Sequence, residues 1–342
     1  MVPANPLFPY MEILLQKQSL SETQAGEAIS TVMKGEATPA QIAALLAALH
    51  SKGETLDEIV GAAQAMRSHA VPIPTGRDHC IDTCGTGGDN SHTFNISTTT
   101  ALVVAGLGVP VAKHGNRSAT SQCGSIDLLE ALGVNIELRP EQIANCLDTV
   151  GIGILFARMV HPAMKHAAPV RSELGFRTIF NFLGPLTNPA RPAFQLVGIS
   201  NLQAMHLYAE CLQRLGIQKA WVVSGPDGVD ELVPFGETQV VEVNHDSLHA
   251  FTVTPGDFGM QSCRLEDLRG GAVEDNLAIT RAILSGAEQG PKRDTILMNA
   301  GAALYVAGAA NTIQAGVSKA AQCIDTGKAQ ETLDRLIQLS QE

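Results

Sequence analysis

The chain has 342 residues, 45% of them hydrophobic, and a formal net charge of −11; it can bury a sizeable core, and at about 150 residues per domain it suggests two domains. The acidic balance argues against general attraction to nucleic acid or anionic membranes, which relies on clustered Lys and Arg, so any phosphate ligand must be held by local charge. No run reaches the roughly 18 apolar residues of a spanning helix, the N-terminus lacks the layout of a secretory signal, and seven scattered cysteines without a CxxC pair favour neither a disulfide framework nor a zinc site, so a cytoplasmic protein with reduced thiols is expected.

Residues 1–72 read as an all-α unit. Four stretches (PYMEILLQKQSL, SETQAGEAISTVMKG, TPAQIAALLAALHSKG and TLDEIVGAAQAMRSHA) carry apolar residues at helical spacing, with capping signals at Ser21, Thr38 and Thr55. The proline-bearing stretch VPIPTGRDH (71–79) then reads as a hinge.

From residue 73 to 342 short apolar runs alternate with helical segments, the pattern of a mainly parallel sheet covered by helices. CIDTC, VPVAK, GIGILFA, FQLVGIS, KAWVVSG and TQVVEV are the predicted strands. The segment 161–190 interrupts the alternation with a helix and a proline-rich loop, and is expected to pack on the helical unit instead of the sheet. The tail from LEDLRGGAVEDN onward is helical, with NAGAALYVAGAA as a buried helix. The fold class is therefore α/β, with a small all-α N-terminal domain and a large α/β domain.

Four stretches carry chemistry. DTCGTGGDNSHTFNIST (82–98) puts Gly85, Gly87 and Gly88 after a strand and before a helix, where backbone amides and the helix start can cradle a phosphate. Its spacing is neither the Walker loop nor the dinucleotide fingerprint, and Asp89 at its end suits ribose hydroxyls or a metal carrying phosphates. VAKHGNRSATSQCGS (111–125) gathers three potential cations, Lys113, His114 and Arg117, at the carboxyl end of a strand, where open α/β sheets collect ligands. SGPDGVDEL holds the adjacent carboxylates Asp230 and Glu231, an ordinary surface pair unless Mg²⁺ lies between them and an anionic substrate. Cys84 and Cys123 sit within the loops without a nucleophile's partners and read as packing residues.

Together with HPAMKHAAPVRSELGFRTIFNFLGPLTNPA (161–190) and the late GGAVEDN and RDTILMNAGAALYVAG, these blocks resemble the anthranilate phosphoribosyltransferase family of tryptophan biosynthesis, in order and over essentially the whole chain. The resemblance implies a nucleoside-phosphorylase-like α/β domain, a homodimer joined through the helical domain, and use of phosphoribosyl pyrophosphate with Mg²⁺, two ions per subunit. It places Gly85, Thr86, Gly87, Gly88, Asp89, Thr93, Asn95, Ser97, Thr98, Lys113 and Ser125 around the phosphoribosyl pyrophosphate. Gly85, His114, Asn116, His161, Arg171, Gly184 and Pro185 would line the anthranilate path. Ser97, Asp230 and Glu231 would hold the metal, and Lys113, His114 and Asn116 would be the catalytic groups. The chain departs from the family pattern at Val160, Ser172, Leu232 and Val233, none of them a proposed catalytic group.

The expected reaction is transfer of the phosphoribosyl group to the amine of anthranilate. That aromatic amine is unprotonated at neutral pH, so no strong base is required, and Arg171 is suited to a forked contact with the anthranilate carboxylate. A pyrimidine nucleoside phosphorylase shares the architecture, but the GTGGD loop, KHGNR and the acidic pair favour a pyrophosphate with metals. A non-catalytic paralogue that binds nucleic acid would need a basic face, which a charge of −11 opposes.

Overall fold

The computed structural model describes residues 5–89, 91–118 and 122–342. Position 90 and residues 119–121, which fall in the two loop motifs, lie outside the described residues. The chain opens with four helices, α1 (Phe8–Leu15), α2 (Glu22–Met33), α3 (Pro39–Lys52) and α4 (Leu56–Ser68). The three capping signals are complete boxes: Ser21, Thr38 and Thr55 accept from the backbone of Gln24, Gln41 and Glu58, whose side chains accept in return from the cap backbone N–H. Such a cap contributes about 1 kcal/mol and fixes where each helix starts. Glu58 does more, because its buried carboxylate also accepts from Leu20 N and pairs with Lys52 at 2.9 Å.

After the hinge come β1 (Ile81–Gly85), α5 (Ile96–Gly106), β2 (Val111–Gly115), α6 (Ser125–Leu132), α7 (Pro140–Thr149) and β3 (Ile152–Phe156). The segment that breaks the alternation holds α8 (Ala157–Val160), α9 (Ala168–Leu174) and α10 (Phe180–Leu186). Then follow β4 (Phe194–Gly198), α11 (Met205–Arg214), β5 (Lys219–Ser224), β6 (Thr238–Asn244) and β7 (Ser247–Val253). Four helices close the chain: α12 (Val273–Leu284), α13 (Pro291–Val306), α14 (Ile313–Asp325) and α15 (Lys328–Ser340).

The strands form one sheet in the order β3-β2-β1-β4-β5-β6-β7. The first five are parallel; β5, β6 and β7 pair antiparallel. β7 is absent from the predicted strands, although SLHAFTV alternates, and the two-residue turn His245–Asp246 pairs it directly with β6. The parallel strands are buried on both faces, as helical crossovers require. Along β5, Trp221 and Val223 enter one core while Ala220 and Val222 enter the other. The first core lies under α5, α13 and α15. The second runs between the opposite sheet face and the N-terminal helices.

The segment 161–190 corrects one expectation. Its Ala167, Val170, Phe180 and Leu183 share a single core with the N-terminal helices and with sheet residues Val197 and Val222. Pro185 O also accepts from the sheet residue Gln195, and Leu186 O accepts from Arg67 on α4. The segment therefore rivets the helical unit to the sheet instead of packing on the former alone.

The strand order reverses between β1 and β4, whose last residues, Gly85 and Gly198, are register partners. Ligands of open α/β sheets gather at such a switch point, beyond the carboxyl ends of the strands.

Candidate functional site

Lys113 is the centre of charge. It sits near the end of β2, 2% exposed, and its ammonium donates to Thr83 O and to Ser97 Oγ, the latter at 3.2 Å. A lysine reaches such burial only with its donors satisfied. Beneath it Asp82 is fully buried; it accepts from Asn188 Nδ2 at 2.9 Å and from His114 N, and burial pushes its carboxyl up to about 6 against the pull of Lys113. Asn188 also donates to Ala112 O, so the end of β2 is tied to the loop after α10. Neither Asp82 nor Asn188 is among the sequence-predicted site residues. Asp82 stands inside the glycine motif itself, but β1 is buried on both faces, so no alternation marks it out.

The three cations of the KHGNR stretch do not act alike. Only Lys113 offers its charge to the site. Arg117 donates at 2.8 Å to both Asp127 and Glu130 on α6, so its charge is already matched. Burial drives the His114 imidazole down to about 3, with help from the neighbouring His161, so it is neutral.

The glycine loop is shaped by its contacts. Gly87 and Gly88 have φ of +66° and +74°, left-handed values that disfavour side chains. Gly85 leaves room for a carboxylate: a Cβ there would lie 2.4 Å from Asp230 Oδ2 and would have to displace it. Gly198, which stands in no sequence motif of the site, is stricter still, since its Cβ would overlap the Asp230 carbonyl. Thr86 N donates to Gly198 O and Gly87 N to Asp230 Oδ2, at 2.9 and 2.7 Å. Asp89 turns back on Ser91, accepting from its N–H and hydroxyl, and Thr93 Oγ1 lies 3.2 Å from that hydroxyl.

At the start of α5, the Thr98 hydroxyl and Asn95 Oδ1 are buried without a protein partner among the described residues. Asn95 Nδ2 donates to Cys123 O. Ser125, across the second loop, donates to Asn116 O at 3.2 Å. Asn116 itself is exposed, its side-chain oxygen accepting from Arg117 N.

Ser97, Asp230 and Glu231 are brought together. The Ser97 backbone hydrogen-bonds the Glu231 carboxylate, and Ser97 Oγ accepts from Lys113. Burial, then repulsion from Asp89, lifts Asp230 to about 7. Burial and Asp230 lift Glu231 well above the ordinary range. Like-charged, poorly solvated carboxylates of this kind are relieved by a cation. No group of three or more His, Cys, Asp and Glu with metal-holding geometry occurs among the described residues.

On the other side of Lys113 the site turns neutral. The rings of His114 and His161 stand edge to face, 5.1 Å apart. The backbone of Gly184 and of Thr187 respectively acts on each ring against the effect of burial, and Nε2 of each is buried with no partner among the described residues. Burial lowers His161 to about 4. Gly184 is exposed, and a Cβ on it would meet nothing within 4 Å; Pro185, next in α10, is buried. Arg171 on α9 lies over the Phe180 ring at 5.2 Å and has no carboxylate partner among the described residues. Burial lowers its pKa. It does not pair with Glu173.

Beside the glycine loop, a cavity of about 200 Å³ is lined by His50, Glu54, Thr86, Arg177, Asn181 and Phe182. A roomier groove of about 430 Å³ between α6, α12 and α15 shares no residue with the site.

The helical unit matches the glycosyl transferase family, helical bundle domain, over residues 9–70, and the rest matches the glycosyl transferase family, a/b domain, over residues 77–330. An anthranilate phosphoribosyltransferase of Symbiobacterium thermophilum is 52% identical over 319 residues, 93% of either chain. The crystal structure of anthranilate phosphoribosyltransferase from Thermus thermophilus superposes with a TM-score of 0.93 at 43% identity, covering 97% of this chain and 99% of that one. The Saccharomyces cerevisiae enzyme, solved in complex with PRPP and Mg, gives 0.91 at 26% identity, covering 98% of both chains. With both its domains and nearly its whole length matched in this way, the chain belongs to the anthranilate phosphoribosyltransferase family.

Proposed function

We propose that the chain transfers the phosphoribosyl group of phosphoribosyl pyrophosphate to the amine of anthranilate, giving N-(5-phosphoribosyl)anthranilate and pyrophosphate. One observation carries this reading: Lys113 is held by Ser97 beside the crowded pair Asp230 and Glu231, while the adjacent His114 is neutral beside His161 and Arg171 on α9 lies over Phe180 with no carboxylate partner among the described residues. The first half suits a polyanion with a metal, the second an aromatic amine bearing a carboxylate.

The bond from ribose C1 to the pyrophosphate oxygen breaks as the amine nitrogen bonds to C1. Positive charge builds on the sugar and negative charge on the leaving group. Lys113, fixed by Thr83 and Ser97, stabilises the departing pyrophosphate without having to reorganise. Asn95, Ser97, Thr98 and Ser125 hold the phosphoribosyl moiety at the start of α5 and α6, with Gly85, Thr86, Gly87, Gly88, Asp89 and Thr93 closing over it. Asp230, Glu231 and Ser97 would hold Mg²⁺, which supplies neutralisation of the pyrophosphate charge; two ions per subunit suit two carboxylates. The Nε2 of His114 accepts an N–H of the amine and so orients its lone pair, with Asn116 beside it. At a pKa near 3, His114 positions the amine and is a poor base. The amine proton leaves to solvent once the nitrogen carries positive charge. Arg171 takes the carboxylate, and His161, Gly184 and Pro185 bound the ring.

The same reading includes a homodimer through the helical domain, supported by the exposed apolar residues Phe8 and Leu15 on α1, and a cytoplasmic setting, where a phosphorylated sugar is retained. Loss of anthranilate fluorescence on incubation with phosphoribosyl pyrophosphate, Mg²⁺ and folded protein tests the activity; no turnover would refute it. Sedimentation tests the dimer.

A further inference from the structure

The link between α9 and α10 reaches the glycine loop through one side chain. Gly175 ends α9 with φ of +65°, Phe176 packs against His50 of α3 in a tilted ring pair with centroids 4.9 Å apart, and Thr178 N donates to Asn181 Oδ1 at 2.9 Å. Between these two anchors Arg177 reaches the end of β4 and the glycine loop. Its Nη1 donates to Ser200 Oγ at 3.2 Å and lies 3.3 Å from where a Cβ of Gly88 would stand. The Ser200 hydroxyl passes the contact on by donating to Gly87 O, also at 3.2 Å, while Ser200 N donates to Thr86 Oγ1 at 3.3 Å. Arg177 has no ion-pair partner among the described residues.

A loop of two successive left-handed glycines has much conformational freedom to lose, and each backbone group that is fixed beforehand lowers the cost of binding. Asp230 fixes Gly87 from its amide side and Ser200 from its carbonyl side. Arg177 Nη1 takes one lone pair of the Ser200 hydroxyl, which donates its single proton to Gly87 O.

We propose that Arg177 is a positioning residue for the phosphoribosyl site: acting through Ser200, it clamps the glycine loop from the segment that lines the anthranilate side. The assignment rests on the proposed transfer reaction for its kinetic consequences, and on the hydrogen-bond chain alone for its structural ones.

The test uses Arg177→Ala, Ser200→Ala, the double variant and Arg177→Lys, all of full length. Each single alanine variant should raise KM for phosphoribosyl pyrophosphate about tenfold, the loss of one charge-assisted contact, and leave KM for anthranilate within about twofold. The double variant should be no worse than either single, and Arg177→Lys should recover part of the loss. An unchanged KM for phosphoribosyl pyrophosphate overturns the proposal, as does an additive double variant, which would mean that Arg177 touches the substrate itself. Hydrogen exchange at the Thr86 to Gly88 amides, read on the protein alone, should quicken in Arg177→Ala, and exchange equal to the parent's would also overturn it. That readout needs no turnover, so absence of any transfer activity would refute the reaction and leave the clamp to be judged by exchange.

Discussion

Asp230 Oδ2 accepts the Gly87 amide hydrogen at 2.7 Å, so a carboxylate of the chain itself holds a donor that the glycine loop would present to a phosphate. A Cβ at Gly85 would intrude on the same oxygen at 2.4 Å. Loop geometry and carboxylate position are therefore one property. Gly85→Ala should leave the protein folded but displace Asp230, lowering kcat/KM for phosphoribosyl pyrophosphate by about tenfold or more and shifting the Mg²⁺ dependence to higher concentration. Activity across a Mg²⁺ titration checks this, and a curve superposable on the parent's would contradict it.

Asp230→Ala combined with Glu231→Ala removes two carboxylates that crowd each other in a poorly solvated place. The fold should stand, with an unfolding temperature equal to or above the parent's, because neither side chain belongs to the apolar core and their repulsion is relieved. Turnover should fall by about a hundredfold or more at every Mg²⁺ concentration. Parent-like turnover would show that the metal is held elsewhere.

Arg171 offers its guanidinium over Phe180 with no acid to meet it among the described residues. Arg171→Ala should raise KM for anthranilate by roughly tenfold to over a hundredfold, since a charge-assisted hydrogen bond is worth about 1.5 to 3 kcal/mol, and barely change KM for phosphoribosyl pyrophosphate. Arg171→Lys should recover only part, because the charge returns without the planar fork. Steady-state kinetics with each substrate varied in turn decides it; equal rises in both KM values would remove Arg171 from the carboxylate.

His161 gives a pH signature. Burial lowers its pKa from 6.5 to about 4, so the folded state prefers the neutral ring. Its contribution to stability is complete above pH 6.5 and is lost as pH falls through about 4, a change of about 3 kcal/mol. His161→Asn has no such titration and should lose less stability than the parent between those pH values. Urea unfolding midpoints at several pH values test this; parallel declines would mean that the ring is not held neutral by burial.

Local patterning alone determined much of this protein. The helix starts at Ser21, Thr38 and Thr55 follow from side chains that bond their own backbone three residues on, and the strands β1 to β6 follow from short apolar runs between turn residues. The residue types of the proposed site also carry their chemistry in sequence, as glycine loops, a lysine at a strand end and paired carboxylates. Tertiary structure decided which groups keep their charge. Arg117 reads as a site cation until α6 brings Asp127 and Glu130 within 2.8 Å, and His114 reads as another until burial beside His161 makes it neutral. Asp82, Gly198 and Arg177 owe their importance to partners remote in the chain, 106 positions away for Asp82, but adjacent in space, and no local pattern encodes such pairings. Charge, solvation and close approach depend on what packs against a residue, and that is fixed only when the sheet, the helical unit and the segment 161–190 come together.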